Sequence, residues 1–355
     1  MDKVSKFIQV QCLILFSYQI FTLSAIANGK GSSFSEIQMN STLISICIPA
    51  YKGVHTLRRL LDSIAIQTYK HFEVIVTDDS PDREVEYLCN QYQARFDLKY
   101  FKNIVQLGTP ENWNEGVRRT KGEWIKIMHD DDWFVSDHSL MQFVDAIEAS
   151  PGSNFIFSGY TNVSYQISKT ILLPPRKRMF LNPSIQLLSE NVIGPPSVTL
   201  YRNLPGLEYD KNLKWLVDID FYIQYLNDNR WYYINTPLIA IGISDQQVTN
   251  TSFRVATVEI PEHFYVLSKL GYKVLRNPVI YDTFWRLFRN LNIRDIHAIR
   301  EAGYNGSIPK SIDFQLWFMK FFTPTILKVG VFSKVFMLMA WLISVYFRRD
   351  MDEAS

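Results

Sequence analysis

Three successive carboxylates, Asp130, Asp131 and Asp132, follow His129 at the end of a short apolar run, Trp124 to Met128, and Trp133-Phe134-Val135 comes directly after them. Adjacent like charges repel, and apolar surroundings make ionising them more costly. A hard divalent cation such as magnesium relieves that repulsion, because it prefers carboxylate oxygens. A solvated acidic turn is the other reading of the same triplet. A second acidic pair, Asp78-Asp79, closes another apolar run, His71-Phe-Glu-Val-Ile-Val-Thr77. Further on, Trp215-Leu-Val-Asp-Ile-Asp-Phe221 sets Asp218 and Asp220 in an aromatic, apolar helix. A carboxylate in such a place is either a satisfied core group or a functional one.

Acidic groups this far apart act together only if the elements before them deliver them to one place. Leu43-Ile-Ser-Ile-Cys-Ile48, ended by Pro49, is a continuous apolar strand of the kind covered on both faces in parallel sheets. Leu57, Leu60, Leu61 and Ile64 fall on one helix face. The run to Thr77 is a second strand. Ser80-Pro81 is a capping hydroxyl followed by a proline at the first helical position, and Val85, Leu88, Cys89 and Tyr92 form the apolar face of the helix it predicts. Leu98 to Phe101 is a third strand. Thr109-Pro110 repeats the capping signal and predicts a helix through Trp113 and Val117, ending near Lys121-Gly122. After the triplet, Leu140, Phe143, Val144 and Ile147 mark a helix and Asn154 to Ser158 a strand. This alternation predicts a three-layer α/β domain with a largely parallel sheet. In such a sheet both acidic groups share one edge, beyond the carboxyl ends of the strands, where open α/β sheets bind ligands.

From Tyr160 to Pro205 the pattern loosens. Pro174-Pro175-Arg176-Lys177-Arg178 reads as a solvated basic turn, and Asn191-Val-Ile-Gly-Pro-Pro-Ser197 is rich in turn formers. Arg230 to Ile243 reads as closing strands around Thr236-Pro237, and residues 255–300 as helical. Phe314 to Phe347 is strongly apolar, broken by Lys320, Pro324, Lys328 and Lys334 and followed by Arg348-Arg349. Its uninterrupted part, Val335 to Phe347, is short for a membrane span. Spaced lysines among aromatics fit helices lying on a membrane surface, with helices packed on the globular domain or on a partner as the alternative. Arg348-Arg349 suits a cytoplasmic terminus.

Across 355 residues, 37 Lys and Arg against 35 Asp and Glu give a net charge of +2, which offers no electrostatic case for nucleic acid. Cys12, Cys47 and Cys89 are odd in number, scattered and without metal spacing, which argues against a disulfide framework and suits a reducing compartment. Phe7 to Ala27 carries no charge, with Lys3 and Lys6 before it and Lys30 after. That run is long enough to span a bilayer, is built like a signal peptide, and is diluted by polar residues as an extension that is neither would be. The expected organisation is an N-terminal apolar segment and linker over 1–42, a globular domain over 43–250 and a helical region over 251–355.

Several segments now carry a resemblance when taken together. They are Ile44-Ser-Ile-Cys-Ile-Pro-Ala-Tyr51, Ser63 to Phe72 with its Gln-Thr, Glu73-Val-Ile-Val-Thr-Asp-Asp-Ser80, and Asn112-Trp-Asn-Glu-Gly116 followed by Lys121-Gly-Glu-Trp124. In this order and spacing, residues 43–250 resemble glycosyltransferase family 2 of the bacterial polysaccharide type, inverting enzymes with the GT-A fold. The resemblance implies an α/β fold with a mostly parallel central sheet flanked by helices, here followed by the C-terminal helical extension expected at a membrane. It also implies donor-binding roles for Pro49, Tyr51, Asp78 and Asp79, the carboxylates accepting from the base of the donor and Tyr51 stacking on or edging it.

The family's metal motif usually reads Asp-x-Asp-Asp. Here His129 takes the first place, either as a substitute hydrogen-bond donor or as a turn histidine. Asp131 falls on the position that holds a divalent cation, Mg2+ or Mn2+, between the donor phosphates, with Asp132 beside it on the metal and Asp130 on the donor side. Ile193-Gly-Pro-Pro-Ser197 resembles the acceptor-side loop. Trp215-Leu-Val-Asp218 resembles the segment of the catalytic base, usually Glu-Asp. Val217 replaces the Glu, and Asp218 carries over, while Asp220 is read as structural, capping or paired. Ile241 to Thr249 resembles a late loop that often carries a metal-binding His, where Ser244 stands instead.

The implied activity is transfer of a sugar from a UDP-, GDP- or dTDP-linked donor to a hydroxyl of a glycan or lipid-linked acceptor, at the cytoplasmic face of a membrane. A protein anchored by an N-terminal span, with its catalytic domain outside the cytosol, is the alternative placement. Two other function classes stay open. A nucleotidyltransferase would show a Gly-rich phosphate loop, which Pro49-Ala-Tyr-Lys-Gly53 is not. A non-catalytic nucleotide-sugar or carbohydrate-binding protein of the same fold is favoured by the departures at His129, Val217 and Ser244.

Overall fold

The apolar run Ile44–Ala50 forms strand β1, and its neighbours are β2 (Phe72–Asp78), β3 (Leu98–Lys102) and β4 (Trp124–Ile127). A computed structural model describes residues 42–165, 168–243 and 253–346. The run Phe7–Ala27, Ser244 and the pair Arg348-Arg349 lie outside the described residues. β1 pairs in parallel with β2 and with β4, and β2 pairs in parallel with β3. Every residue of β2 and β4 is buried, as continuous apolarity predicts for strands covered on both faces. Helix α1 (Val54–Ala65) supplies one cover, with Leu57, Leu60, Leu61 and Ile64 all fully buried.

Two short helices start later than their capping signals predict. Helix α2 is Glu84–Asn90, three residues beyond Pro81. The Ser80 hydroxyl is taken by the Lys52 N–H (2.7 Å), so Asp82 accepts from Glu84 N instead (3.1 Å). Helix α3 is Glu111–Arg118, with Pro110 at the cap position itself rather than inside the first turn. At Ser80 a tertiary partner takes the capping hydroxyl, while the one-residue shift at Pro110 lies within the ordinary spread of helix boundaries.

Past β4 the sheet changes character. Its remaining strands are β5 (Trp133–Phe134), β6 (Ser153–Val163), β7 (Ser168–Ile171), β8 (Thr199–Arg202) and β9 (Arg230–Gly242), with helix α4 (Ser139–Ala149) between β5 and β6. The spatial order is β3-β2-β1-β4-β8-β6-β9-β5, with β7 on β6. β8 is antiparallel to β4 and β6, β5 to β9, and β7 to β6, while β6 and β9 run parallel. The largely parallel arrangement expected from the strand–helix alternation is therefore the β3-β2-β1-β4 half. The second half is mixed: the few residues joining β6 to β7 are too short for a parallel crossover, whereas β8 joins β4 and β6 antiparallel after the irregular stretch that follows Ile171.

Helix α5 (Val217–Asp228) follows β8, and the chain ends in helices α6 (Ala256–Leu270), α7 (Pro278–Leu291), α8 (Ile296–Glu301), α9 (Lys310–Met319), α10 (Pro324–Lys328) and α11 (Gly330–Tyr346). The centre of this region is α7, where Ile280, Tyr281, Phe284, Trp285 and Phe288 are completely buried. These side chains belong to the same continuous apolar core as the sheet.

Candidate active site

Parallel pairing brings the ends of β1, β2 and β4 to one edge, and backbone bonds fasten them there. Asp79 N–H donates to Ala50 O (3.0 Å) and Met128 N–H to Cys47 O (2.9 Å). Tyr51 N–H reaches across to Asp130 Oδ2 (3.3 Å). Both acidic groups thus meet at the edge predicted for them. Pro49 pairs with Thr77 in this frame, and Tyr51 projects from the edge with 47% of its surface exposed.

The two carboxylates after β2 are heavily engaged. Asp78, wholly enclosed, accepts from Ser80 N (2.8 Å), Tyr100 Oη (2.7 Å) and Lys102 Nζ (3.0 Å). Asp79 Oδ1 accepts from Asn103 Nδ2 (2.7 Å) and Leu107 N (3.1 Å), and its Oδ2 from Gly108 N (2.7 Å). Asp79 therefore shapes the 103–108 loop and keeps one acceptor position on Oδ2, whereas Asp78 is closed off. Asn112 stitches the same strands from helix α3, donating to Thr77 O (3.1 Å) and accepting from Asn103 Nδ2 (2.9 Å).

The triplet after β4 splits by direction. Asp130 turns toward β1, and burial, helped by neighbouring Asp131, pushes its carboxyl up to about 7. Asp132 turns inward, 1% exposed, and accepts from Gly242 N (3.1 Å). Burial first and Asp131 second push Asp132 well above the usual carboxylate range. His129, Asp131 and Asp132 each offer a ligand atom, all within 4.8 Å of one another. His129 Nε2 is buried with no hydrogen-bond partner among the described residues. Mixed nitrogen and oxygen donors around an orphaned imidazole nitrogen and repelling carboxylates fit a divalent cation. His129 therefore joins Asp131 and Asp132, while Asp130, expected beside them, faces Tyr51.

Sequence reading missed several groups that hold this cluster. Lys126 lies in the apolar β4 run yet is fully buried, donating to Ser197 O and sitting 4.9 Å from the Phe143 ring centre. Burial drives its ammonium well below the usual lysine range. The available signal was a single charge inside an otherwise apolar strand. Arg59 of α1 lies flat on Trp133 (3.5 Å to the ring centre) and donates to Asp131 O (2.7 Å). It tethers the triplet's backbone to α1. Gly242, at the end of β9, approaches that backbone so closely that a Cβ there would stand 2.4 Å from Asp131 O.

One loop joins the triplet to the other candidate carboxylate. Ser197 Oγ accepts from His129 N (3.0 Å), and six residues earlier Asn191 Nδ2 donates to Asp218 Oδ2 (2.8 Å). Six residues of extended chain span at most about 20 Å, so this one short loop ties the two carboxylate sites together. Aromatic rings pack beside His129: Trp113 lies 4.8 Å from His129 and 5.2 Å from Tyr209. Asp218 stands in the first turn of α5, where Ile219 N–H (2.9 Å) and Asn191 stabilise its charge. Burial outweighs both and raises it to about 6. Asp220 is paired with Lys269 Nζ (2.7 Å), in keeping with a structural role.

The start of α5 is held from the C-terminal helices. Glu262 of α6 accepts from Lys214 N (2.8 Å), Trp215 N (2.9 Å) and Leu216 N (2.8 Å), the amides leading into the helix. Nothing in the sequence pairs Glu262 with residues nearly fifty positions earlier. Glu262→Ala leaves these donors without an acceptor, and roughly 2–4 kcal/mol of stability is expected to go with them. Urea unfolding measures this, with Glu262→Gln, which keeps one acceptor oxygen, falling between.

With this geometry in view, the chain was compared with known proteins. The family model described as Glycosyl transferase family 2 matches residues 45–193. An uncharacterized glycosyltransferase of Haemophilus influenzae is 27% identical over 202 residues, 55% of this chain and 67% of that protein. Another, from Rickettsia typhi, is 27% identical over 220 residues, 60% of this chain and 67% of the relative. The crystal structure of S. aureus TarS 1-349 in complex with UDP-GlcNAc aligns with a TM-score of 0.51 at 15% identity, covering 86% of this chain and 91% of that one. The likeness to TarS is one of fold, an α/β GT-A-like architecture with a curled sheet flanked by helices. Given the family match over residues 45–193 and these relatives, the chain carries a domain similar to glycosyl transferase family 2 and is a glycosyltransferase.

Proposed function

We propose that the protein is an inverting enzyme that moves a sugar from a nucleotide-diphosphate donor to a hydroxyl of a glycan or lipid-linked acceptor in cell-surface polysaccharide biosynthesis. The observation that carries this reading is the 191–197 loop, which holds Asp218 at one end and His129 of the acidic edge at the other. In this reading Pro49 and Tyr51 border the donor base, with the exposed Tyr51 ring stacking on it. Asp79 Oδ2 accepts from the base, and Asp78 keeps the turn beneath it rigid. Asp130 and His129 border the donor diphosphate. Asp131 and Asp132, with His129, hold Mg2+ or Mn2+, which when bound supplies positive charge at the leaving diphosphate. Asp218 takes the proton of the acceptor hydroxyl as its oxygen bonds to the anomeric carbon and the carbon–phosphate oxygen bond breaks. One displacement inverts that carbon and needs no covalent enzyme intermediate.

The test is nucleotide release from UDP-, GDP- and dTDP-sugars, with Mn2+ or Mg2+ and with chelator, for wild type and Asp131→Asn. UDP-GlcNAc is the donor to try first, since a TarS structure of the same fold holds it. One donor is expected to be hydrolysed slowly, with activity falling about a hundredfold or more in chelator and in the variant. Folded protein that turns over no donor, even with a lipid acceptor, would instead be a non-catalytic sugar-nucleotide binder.

A further inference from the structure

Helices α9 to α11 present an outward surface that the glycosyltransferase chemistry does not use. Helix α11 is fixed by its inner side. Ser333, Met337, Ala340 and Ser344 are buried, Trp285 Nε1 donates to Ser333 Oγ (3.0 Å) and Trp341 Nε1 to Arg276 O (3.1 Å). Its outer side carries Phe332, Val335, Met339, Leu342 and Tyr346, all exposed and spaced three and four apart along one stripe. The stripe continues onto α9 through ring contacts. Phe332 meets Phe336 (6.4 Å), which stacks on Phe322 (3.8 Å), and Trp317 and Phe321 lie exposed 4.7 Å apart.

The charge on this surface is mostly positive. Residues 314–346 contain no Asp or Glu, and their charged residues are Lys320, Lys328 and Lys334, all exposed, while the first turn of α9 adds the exposed pair Lys310 and Asp313. Lys334 pairs with Asp282 of α7 (2.9 Å), whereas Lys320 and Lys328 have no acidic partner among the described residues. A second copy docked face to face across α10 and α11 would set lysine against lysine with no acidic residue of 314–346 to answer the charge. No helix of the described residues is long and apolar enough to cross a membrane. An apolar stripe with aromatic residues, edged by unpaired lysines and pinned from beneath, matches the interface of a bilayer with anionic headgroups.

We propose that the outer face of α9–α11 is a docking surface for an anionic lipid bilayer, with α11 lying in the headgroup plane and Lys320 and Lys328 reaching the lipid phosphates. This surface stands independently of the donor and acceptor assignments above.

The test uses the full chain and vesicles of phosphatidylcholine, with and without 30% phosphatidylglycerol, read by co-sedimentation. Wild type is expected to bind the anionic vesicles more tightly, by about tenfold or more. Phe332→Glu with Leu342→Glu should abolish binding to both vesicle types while leaving hydrolysis of a soluble donor unchanged. Lys320→Glu with Lys328→Glu should weaken binding to anionic vesicles by on the order of twentyfold or more and leave neutral vesicles unaffected. Position is read separately by a polarity-sensitive dye on Leu342→Cys in a Cys12→Ser background, whose emission should shift blue when vesicles are added. Equal binding by every variant with no dye shift would overturn the proposal and place membrane contact elsewhere, as in residues 7–27. A wild-type dimer that ignores vesicles and is broken by the Phe332 and Leu342 changes would overturn it in favour of a second copy.

Discussion

Asp218→Asn is expected to lower sugar transfer by about a hundredfold to ten-thousandfold, the usual contribution of a positioned general base, while moving the thermal midpoint by only a few degrees. The two expectations rest on different parts of one environment. Burial raises the carboxyl from 3.8 to about 6, so removing the charge relieves an unfavourable burial. An amide in its place keeps one acceptor oxygen for two donors, Ile219 N–H and Asn191 Nδ2, so one donor confronts another. These effects offset each other in stability, and only the first touches catalysis. As the proposed base, Asp218 would work ionised, so kcat/KM should rise about tenfold per pH unit below about 6 and level off above it. The sign for stability is the reverse of the usual aspartate. The folded state binds this proton more tightly than the unfolded chain. This group's contribution is therefore fully present below about 3.8 and is lost as pH climbs through about 6. A flat rate profile between pH 5 and 7, or near-normal transfer by the Asn variant, would remove Asp218 from the base role.

Gly242→Ala is expected to cost at least about a hundredfold in transfer and roughly 1–3 kcal/mol in stability. The new Cβ would stand 2.4 Å from Asp131 O and 3.3 Å from Asp131 C, and backbone cannot swing aside as a side chain can. β9 and the triplet must separate, which strains the Gly242 N–H to Asp132 bond (3.1 Å) and the Arg59 tether together. Mn2+ affinity, measured by calorimetry without any donor, should fall along with activity, which separates damage to the acidic cluster from damage to donor binding. Gly330→Ala is the matched control, since a Cβ there meets nothing within 4 Å. Wild-type Mn2+ affinity in Gly242→Ala would show that this close approach does not shape the cluster.

What the sequence made legible and what it hid follow from the range of the interactions involved. The β1, β2 and β4 strands are self-contained apolar runs, and the acidic residues closing two of them mark the edge where ligands bind. The buried face of α1 likewise needs only its own spacing. Ser80-Pro81 misled because the serine hydroxyl serves Lys52, a partner from the turn after β1. The mixed half of the sheet was hidden because β8 joins β4 and β6 after long irregular stretches that carry no periodicity. Asp218 was legible as a carboxylate in apolar company, but its orientation depends on Asn191, seen in the sequence only as part of a turn-rich stretch. Lys126 was visible as an oddity and unreadable as a function, since its burial is set by Phe143 and Ser197 from elsewhere in the chain.

The three amides gathered by Glu262 limit how this enzyme can be cut and recombined. The helix bearing the proposed proton acceptor is held in register by a side chain from the tail that follows the transferase motifs. A truncation ending near residue 250 would keep every residue proposed for the chemistry and still release the first turn of the helix that aims one of them. Tails cannot be traded freely between enzymes of this design: a graft across residues 256–270 works only if it brings a carboxylate to the same three peptide groups. Drift in the tail is therefore constrained from inside the active site, at a position that no catalytic motif would mark.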